Sequence, residues 1–192
     1  MEIEDTPTVA AASRAQWRTW LAANCRTEKA AWLVIQRQGS STPSVSYGDA
    51  VEEALCFGWV DSKAVKRDAD STWQRFGPRN PRSGWSNVNK ERVQRLTDAG
   101  LMTSYGQQLV DLAKQTGTWD LLTDAQNLVV PDDLRQRFDA NPAALRNFQA
   151  FPPSSQRRIL EWIATAKRPE TRQRRVGETV ELAARNVRAN HP

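Results

Sequence analysis

Four prolines set the architecture of the last third of this chain. Pro131, Pro142, Pro153 and Pro169 each stand ahead of a run with helical apolar spacing. Proline is tolerated in a helix only near its first turn, where its missing N–H would be unsatisfied in any case. The spacing therefore predicts four short helices, over 131–139, 142–151, 153–166 and 169–187, in place of one long one. At 192 residues, of which 39% are apolar, the chain suits one compact unit or two small ones packed together.

The first two thirds read differently. Ser13 can cap a helix over 13–24, with Trp17, Trp20 and Leu21 at helical spacing. KAAWLVIQ (29–36) is apolar on both faces, the pattern of a buried central strand. Ser46 and Asp49 form a capping-box-like start to a second helix whose apolar face is Tyr47, Ala50, Val51, Ala54 and Leu55, and Gly58 stops it. Segments 59–67 and 71–76 predict a β-hairpin around Asp68-Ala69-Asp70. GPRNPRSGWS (77–86) is a loop by its prolines and glycines. Ser86 caps a helix ending at Gly100, and Thr103 caps another with Leu109, Leu112 and Ala113 inward. The expected class is α+β: a small antiparallel sheet with a hairpin and flanking helices in 1–120, a linker at 121–130, and a helical domain in 131–192.

Composition acts mainly by subtraction. The one histidine, His191, is next to last, and the only cysteines are Cys25 and Cys56. Histidine acid/base chemistry, Cys/His metal sites and a disulfide framework are therefore not expected. Walker, GxGxxG and GxSxG motifs are missing, so no cofactor and no standard catalytic constellation is expected. The acidic start MEIEDTPTVA lacks a basic-then-apolar signal, and no apolar run suits a membrane span. A cytoplasmic protein without membrane insertion is the expectation.

The net charge of +5 is unevenly spread. Residues 1–61 carry −3, 62–95 carry +6, 96–156 carry −3 and 157–192 carry +5. Either the blocks neutralise one another internally, or the basic ones meet an external polyanion.

EALCFGWVDS (53–62), QRFGPRNPRSGWSNVN (74–89) and AKRPETRQRRV (166–176) resemble the bacterial YdeI/OmpD-associated proteins. Their pattern is an EALCFGWID block, a QRFTPRRPRSxWSxxN block, a GRW turn and an AKRPETRxRRI entry to a C-terminal helical domain. This chain departs at Val60, Ser62, Gly77 and Asn80, and has Gly117-Thr118-Trp119 at the turn. The resemblance spans about 29–188 and implies the same two-part layout, with an association with bacteriocin protection or envelope stress.

Three groups of side chains are candidates for function. Arg75, Arg79 and Arg82 interleave with Trp73, Phe76 and Trp85 ahead of the helix that begins near Ser86, with Asn89 in its first turn. Guanidinium forks, indole faces and free helix N–H groups could hold an anion or nucleotide; the same residues could equally pack a seam. Glu53, Trp59 and Asp61 come from the neighbouring block, and the two carboxylates could act as acid and base or hold the arginines. Cys56, near Glu52 and Glu53 at a helix C-terminus, is expected to be inert. Arg168, Arg172 and Arg175 share a face in the first turns of the last helix, where positive charge opposes the dipole and calls for an anion. That anion could be the acidic N-terminal unit or an external polymer. The reading that follows is a protein binding a small anionic or nucleotide-like ligand in an Arg/Trp-lined cleft, with a nucleic-acid-binding or protein-interaction module as the alternative. An enzyme finds the least support, and oligomeric state has no signature.

Overall fold

The structure, a computed structural model, describes residues 6–191. Residues 1–5, which carry most of the acidic start, lie outside the described residues. The chain divides into two compact units: residues up to 83 together with 88–115, and residues 84–87 together with 116 onward. The class is α+β.

In the N-terminal unit the chain runs β1 (Thr8–Val9), α1 (Arg14–Asn24), β2 (Ala31–Gln36), α2 (Tyr47–Cys56), β3 (Trp59–Lys66), β4 (Ser71–Pro78), α3 (Asn87–Asp98) and α4 (Ser104–Thr116). The sheet order is β1-β2-β4-β3, so the strand that is apolar on both faces is central. The expected antiparallel sheet is mixed: β1, two residues long, pairs parallel to β2. A strand that short has no alternation to read. β4 extends through Gly77 and Pro78, which were expected to be loop, because Val60 and Trp59 pair with them across the hairpin. Pro78 ends the strand, where no donor is needed.

Ser13 caps α1 by accepting the Gln16 N–H at 3.3 Å, and Ser46 caps α2 by accepting that of Asp49 at 3.1 Å. Both helices cover the sheet face that carries Phe76 and Trp59. Trp17 lies 5.4 Å from Phe76, ring to ring, and Trp20 lies 5.9 Å from Trp59. The indole N–H of Trp17 donates to the Ala50 carbonyl at 3.1 Å and that of Trp59 to the Cys25 carbonyl at 3.0 Å, so both rings are buried without stranding their polar atoms. Tyr47, read from spacing as part of the apolar face, is 46% exposed. Gly58 takes φ +69° and ends α2. Thr103 then donates to the Cys56 carbonyl at 2.5 Å and accepts the Gly106 N–H at 3.1 Å, which fastens the start of α4 to the end of α2. In α4, Val110 and Ala113 are the buried apolar side chains, whereas Leu109 and Leu112 are half-buried.

The C-terminal unit holds α5 (Thr123–Gln126), α6 (Asp132–Asp139), α7 (Pro142–Ala150), α8 (Pro153–Ala164) and α9 (Pro169–Ala184). Prolines open α7, α8 and α9, and Pro131 is the N-cap of α6. Segment 121–130 contains α5, whose Ala125 joins a core built on Leu134, Phe138, Phe148, Ile159 and Ile163. Residues 84–87 pack here too: Trp85 lies 5.0 Å from Trp119, and the Asn87 N–H donates to Gln126 Oε1 at 3.2 Å. Among the described residues no helix is long and apolar enough to cross a membrane.

Candidate functional site

Glu53 is buried at 2% exposure and faces α1. Its Oε1 accepts from Arg14 Nε at 2.6 Å and its Oε2 from Arg18 Nη1 at 2.7 Å. Arg14 also reaches Asp49 and Glu52, and Arg95 of α3 reaches Glu52 at 2.8 Å. Burial alone would lower the pKa of Arg14 and Arg18, but the bonds to Glu53 outweigh it and hold both above the ordinary guanidinium value. Glu53 thus holds arginines, and they belong to α1. The i, i+4 spacing of Arg14 and Arg18 beside Trp17 and Leu21 was the sequence signal for this arrangement.

Asp61 is half-buried on β3 and accepts the Tyr47 hydroxyl at 2.7 Å. Burial, and then the bond to Asp61, push the Tyr47 phenol up to about 12. Asn89 accepts from Arg92 Nη1 at 3.1 Å. Trp59 is fully buried in the sheet–helix core. The two carboxylates therefore do not share a site: Glu53 is bound to α1 and Asp61 to the first residue of α2.

The Arg/Trp segment is divided as well. Arg75 is half-buried on β4, and Arg79 is buried at 7% exposure with its backbone N–H on the Gly58 carbonyl at 2.9 Å. Burial pushes the Arg79 guanidinium down to about 10. Arg82 is exposed, in a turn closed by its N–H on Asn80 Oδ1 at 2.9 Å. Trp85 belongs to the C-terminal unit.

In that unit Arg172 binds Asp133 of α6 through Nε and Nη2 at 2.6 and 2.9 Å. For Arg172 the anion that the dipole argument calls for is Asp133, a neighbour in the same unit and neither of the two sources weighed from the sequence. Arg172 holds the Asp133 carboxyl below its usual range. Arg175 stacks over the Trp162 ring at 5.0 Å and donates to the Trp162 carbonyl. Arg168 is exposed at the N-cap of α9. Cys25 and Cys56 are free and buried, and burial pushes both thiols up. No group of three or more metal-ligating side chains occurs among the described residues.

One cavity, of about 330 Å³, brings a predicted residue together with new ones. Arg75 shares it with Lys29, Thr27, Glu28, Thr6 and Pro7, at the end of the sheet where the chain enters β1 and β2. On the other side of Thr27-Glu28-Lys29 lies a wider hollow bounded by Arg26 and Tyr105, with the Arg26 guanidinium 5.7 Å from the Tyr105 ring centroid. Among the described residues neither Lys29 nor Arg75 forms an ion pair. Lys29 and Arg26 sit in a short connection without periodicity, which is why sequence spacing passed over them.

The fold and these cavities define a two-part α+β protein with a cation-lined hollow in its first unit. Residues 9–109, more than half of the chain, match the family model described as "Domain of unknown function (DUF8412)", and the chain belongs to that family. Residues 127–186 match the model described as "Bacteriocin-protection, YdeI or OmpD-Associated", so the helical unit is a domain of the kind the resemblance implied. The blocks at 53–62 and 74–89 fall in the first match, and the block at 166–176 falls within the second. No curated protein and no solved structure matches the chain.

Proposed function

We propose that this chain is a cytoplasmic binding protein for a small anion, held in the N-terminal unit between Lys29 and Arg75. The observation that carries the reading is that two cations line one cavity of about 330 Å³ with no ion-pair partner among the described residues. Cations so placed are met by an acceptor-rich ligand or by water, and Arg75 supplies a planar fork suited to carboxylate or phosphate. Glu28 in the same wall favours a ligand that also offers a donor. The family description naming bacteriocin protection gives the setting in which such capture would matter. The nucleic-acid alternative is weaker here, because Asp133 and Trp162 already engage Arg172 and Arg175.

Titration with inorganic phosphate, and with adenosine monophosphate as a nucleotide-like probe, tests the reading. Backbone amide shifts at 27–30 and 75 are expected to saturate. Lys29→Ala and Arg75→Ala are each expected to weaken binding about tenfold or more, the worth of a hydrogen bond to a charged group. Binding unchanged in both variants would overturn it.

A further inference from the structure

The hollow bounded by Arg26 and Tyr105 encloses about 640 Å³, and its wall includes Thr27, Glu28 and Lys29. The same three residues line the cavity of Lys29 and Arg75, so they form a ridge common to both. Backbone bonds hold that ridge in place. The N–H groups of Thr27 and Glu28 donate to the Asn24 carbonyl at 3.1 and 2.9 Å, and the Thr27 hydroxyl donates to it at 3.2 Å, which pins the turn to the end of α1. Cα atoms two residues apart lie at most about 7 Å from each other. A molecule a few bonds longer than phosphate therefore reaches from one hollow to the other.

The charges on these walls are unbalanced. Arg26, Lys29 and Arg75 stand against one carboxylate, Glu28, and among the described residues none of the four forms an ion pair. Glu28 is half-buried on the ridge, and among the described residues its carboxylate accepts no hydrogen bond. Arg26 is exposed, and its guanidinium lies 5.7 Å from the centroid of the Tyr105 ring, a contact that steadies a flexible side chain at the edge of the hollow.

We propose that the small anion is the phosphate of a nucleoside monophosphate, with its sugar hydroxyls on Glu28 and its base against Arg26 and Tyr105. This rests on the small-anion reading above and supplies the remainder of the ligand. Each part answers to a residue that lines the two hollows. Three cations against one carboxylate leave two positive charges, the complement of a phosphate monoester dianion. Glu28 repels an anion placed on the ridge and accepts from a hydroxyl there. A base is a neutral plane, and such planes stack on aromatic rings and on guanidinium groups alike.

Inorganic phosphate, ribose 5-phosphate and adenosine monophosphate share one anion and add one part at a time, so they form the test series, followed by backbone amide shifts in the intact chain. Phosphate is expected to move 27–30 and 75. Ribose 5-phosphate is expected to bind at least about threefold more tightly, and adenosine monophosphate at least about fivefold more tightly again, with 26 and 105 moving as well. Arg26→Ala, which removes an exposed side chain, should bring adenosine monophosphate down to the affinity of ribose 5-phosphate in the same variant. Glu28→Ala should likewise bring ribose 5-phosphate to the affinity of phosphate. The members of each pair carry the same charge, so the charge changed by the substitution cancels in the ratio. Equal affinity for adenosine monophosphate and ribose 5-phosphate in the parent, or a ratio that survives Arg26→Ala, would overturn this inference and leave the small-anion reading standing. No saturable response at 27–30 and 75 to any of the three would overturn both.

Discussion

At Glu53 one buried carboxylate accepts from two guanidinium groups and so joins α1 to α2. Glu53→Gln should lower stability by about 2–3 kcal/mol, read from urea midpoints: two charge-assisted bonds are weakened, but Arg14 and Arg18 are about a third exposed and recover some hydration. An unchanged midpoint would mean that the pair contributes nothing. Cys25 and Cys56 are buried with their thiols pushed up, so a thiol-specific reagent at neutral pH should label neither in the native protein and both after unfolding. Labelling of either at the rate of a free thiol would contradict that burial. The surroundings that raise the Cys56 thiol were legible in part, since the neighbouring Glu53 is in the sequence, whereas its burial was not. The true partners of Glu53 were not, because a helix spacing orders the faces of one element but does not say which neighbour covers them.

Between elements, two contacts decide stability. A Cβ on Gly106 would overlap the Cys56 carbonyl oxygen, a backbone atom that cannot turn aside. Gly106→Ala should therefore cost at least about 1–3 kcal/mol by forcing α4 off the end of α2, although alanine favours the helix itself. A midpoint equal to or above the parent's would refute the close approach. The second contact is Arg172 with Asp133, joining α9 to α6. Asp133 has its carboxyl pKa lowered in the folded state, so the pair contributes stability above the ordinary value of 3.8, and that contribution is lost as pH falls through the folded value. Below about pH 4 the acid-induced loss of helix signal should be shallower in Asp133→Asn than in the parent, while parallel curves would remove the pair from the account. Most elements were readable because their signals are local: Ser13 and Ser46 cap where their spacing said, and the prolines open their helices. β1 and α5 were not, since two residues and four residues carry no period.

Across the whole chain the alternating charge blocks find partners within each unit. Arg95 from the first basic block meets Glu52 of the first acidic block, and Arg172 from the second basic block meets Asp133 of the second acidic one. Lys29 and Arg75, which line one cavity, stand outside these pairs, since among the described residues neither forms an ion pair. Binding there should weaken steeply with salt. The most direct measurement is a phosphate titration of the parent and of the Lys29→Ala, Arg75→Ala double variant at low and high salt, followed at the amides of 27–30 and 75. The account predicts a saturable response in the parent that falls with salt and is absent from a folded double variant. A response of equal size in both proteins, or one indifferent to salt, would contradict it.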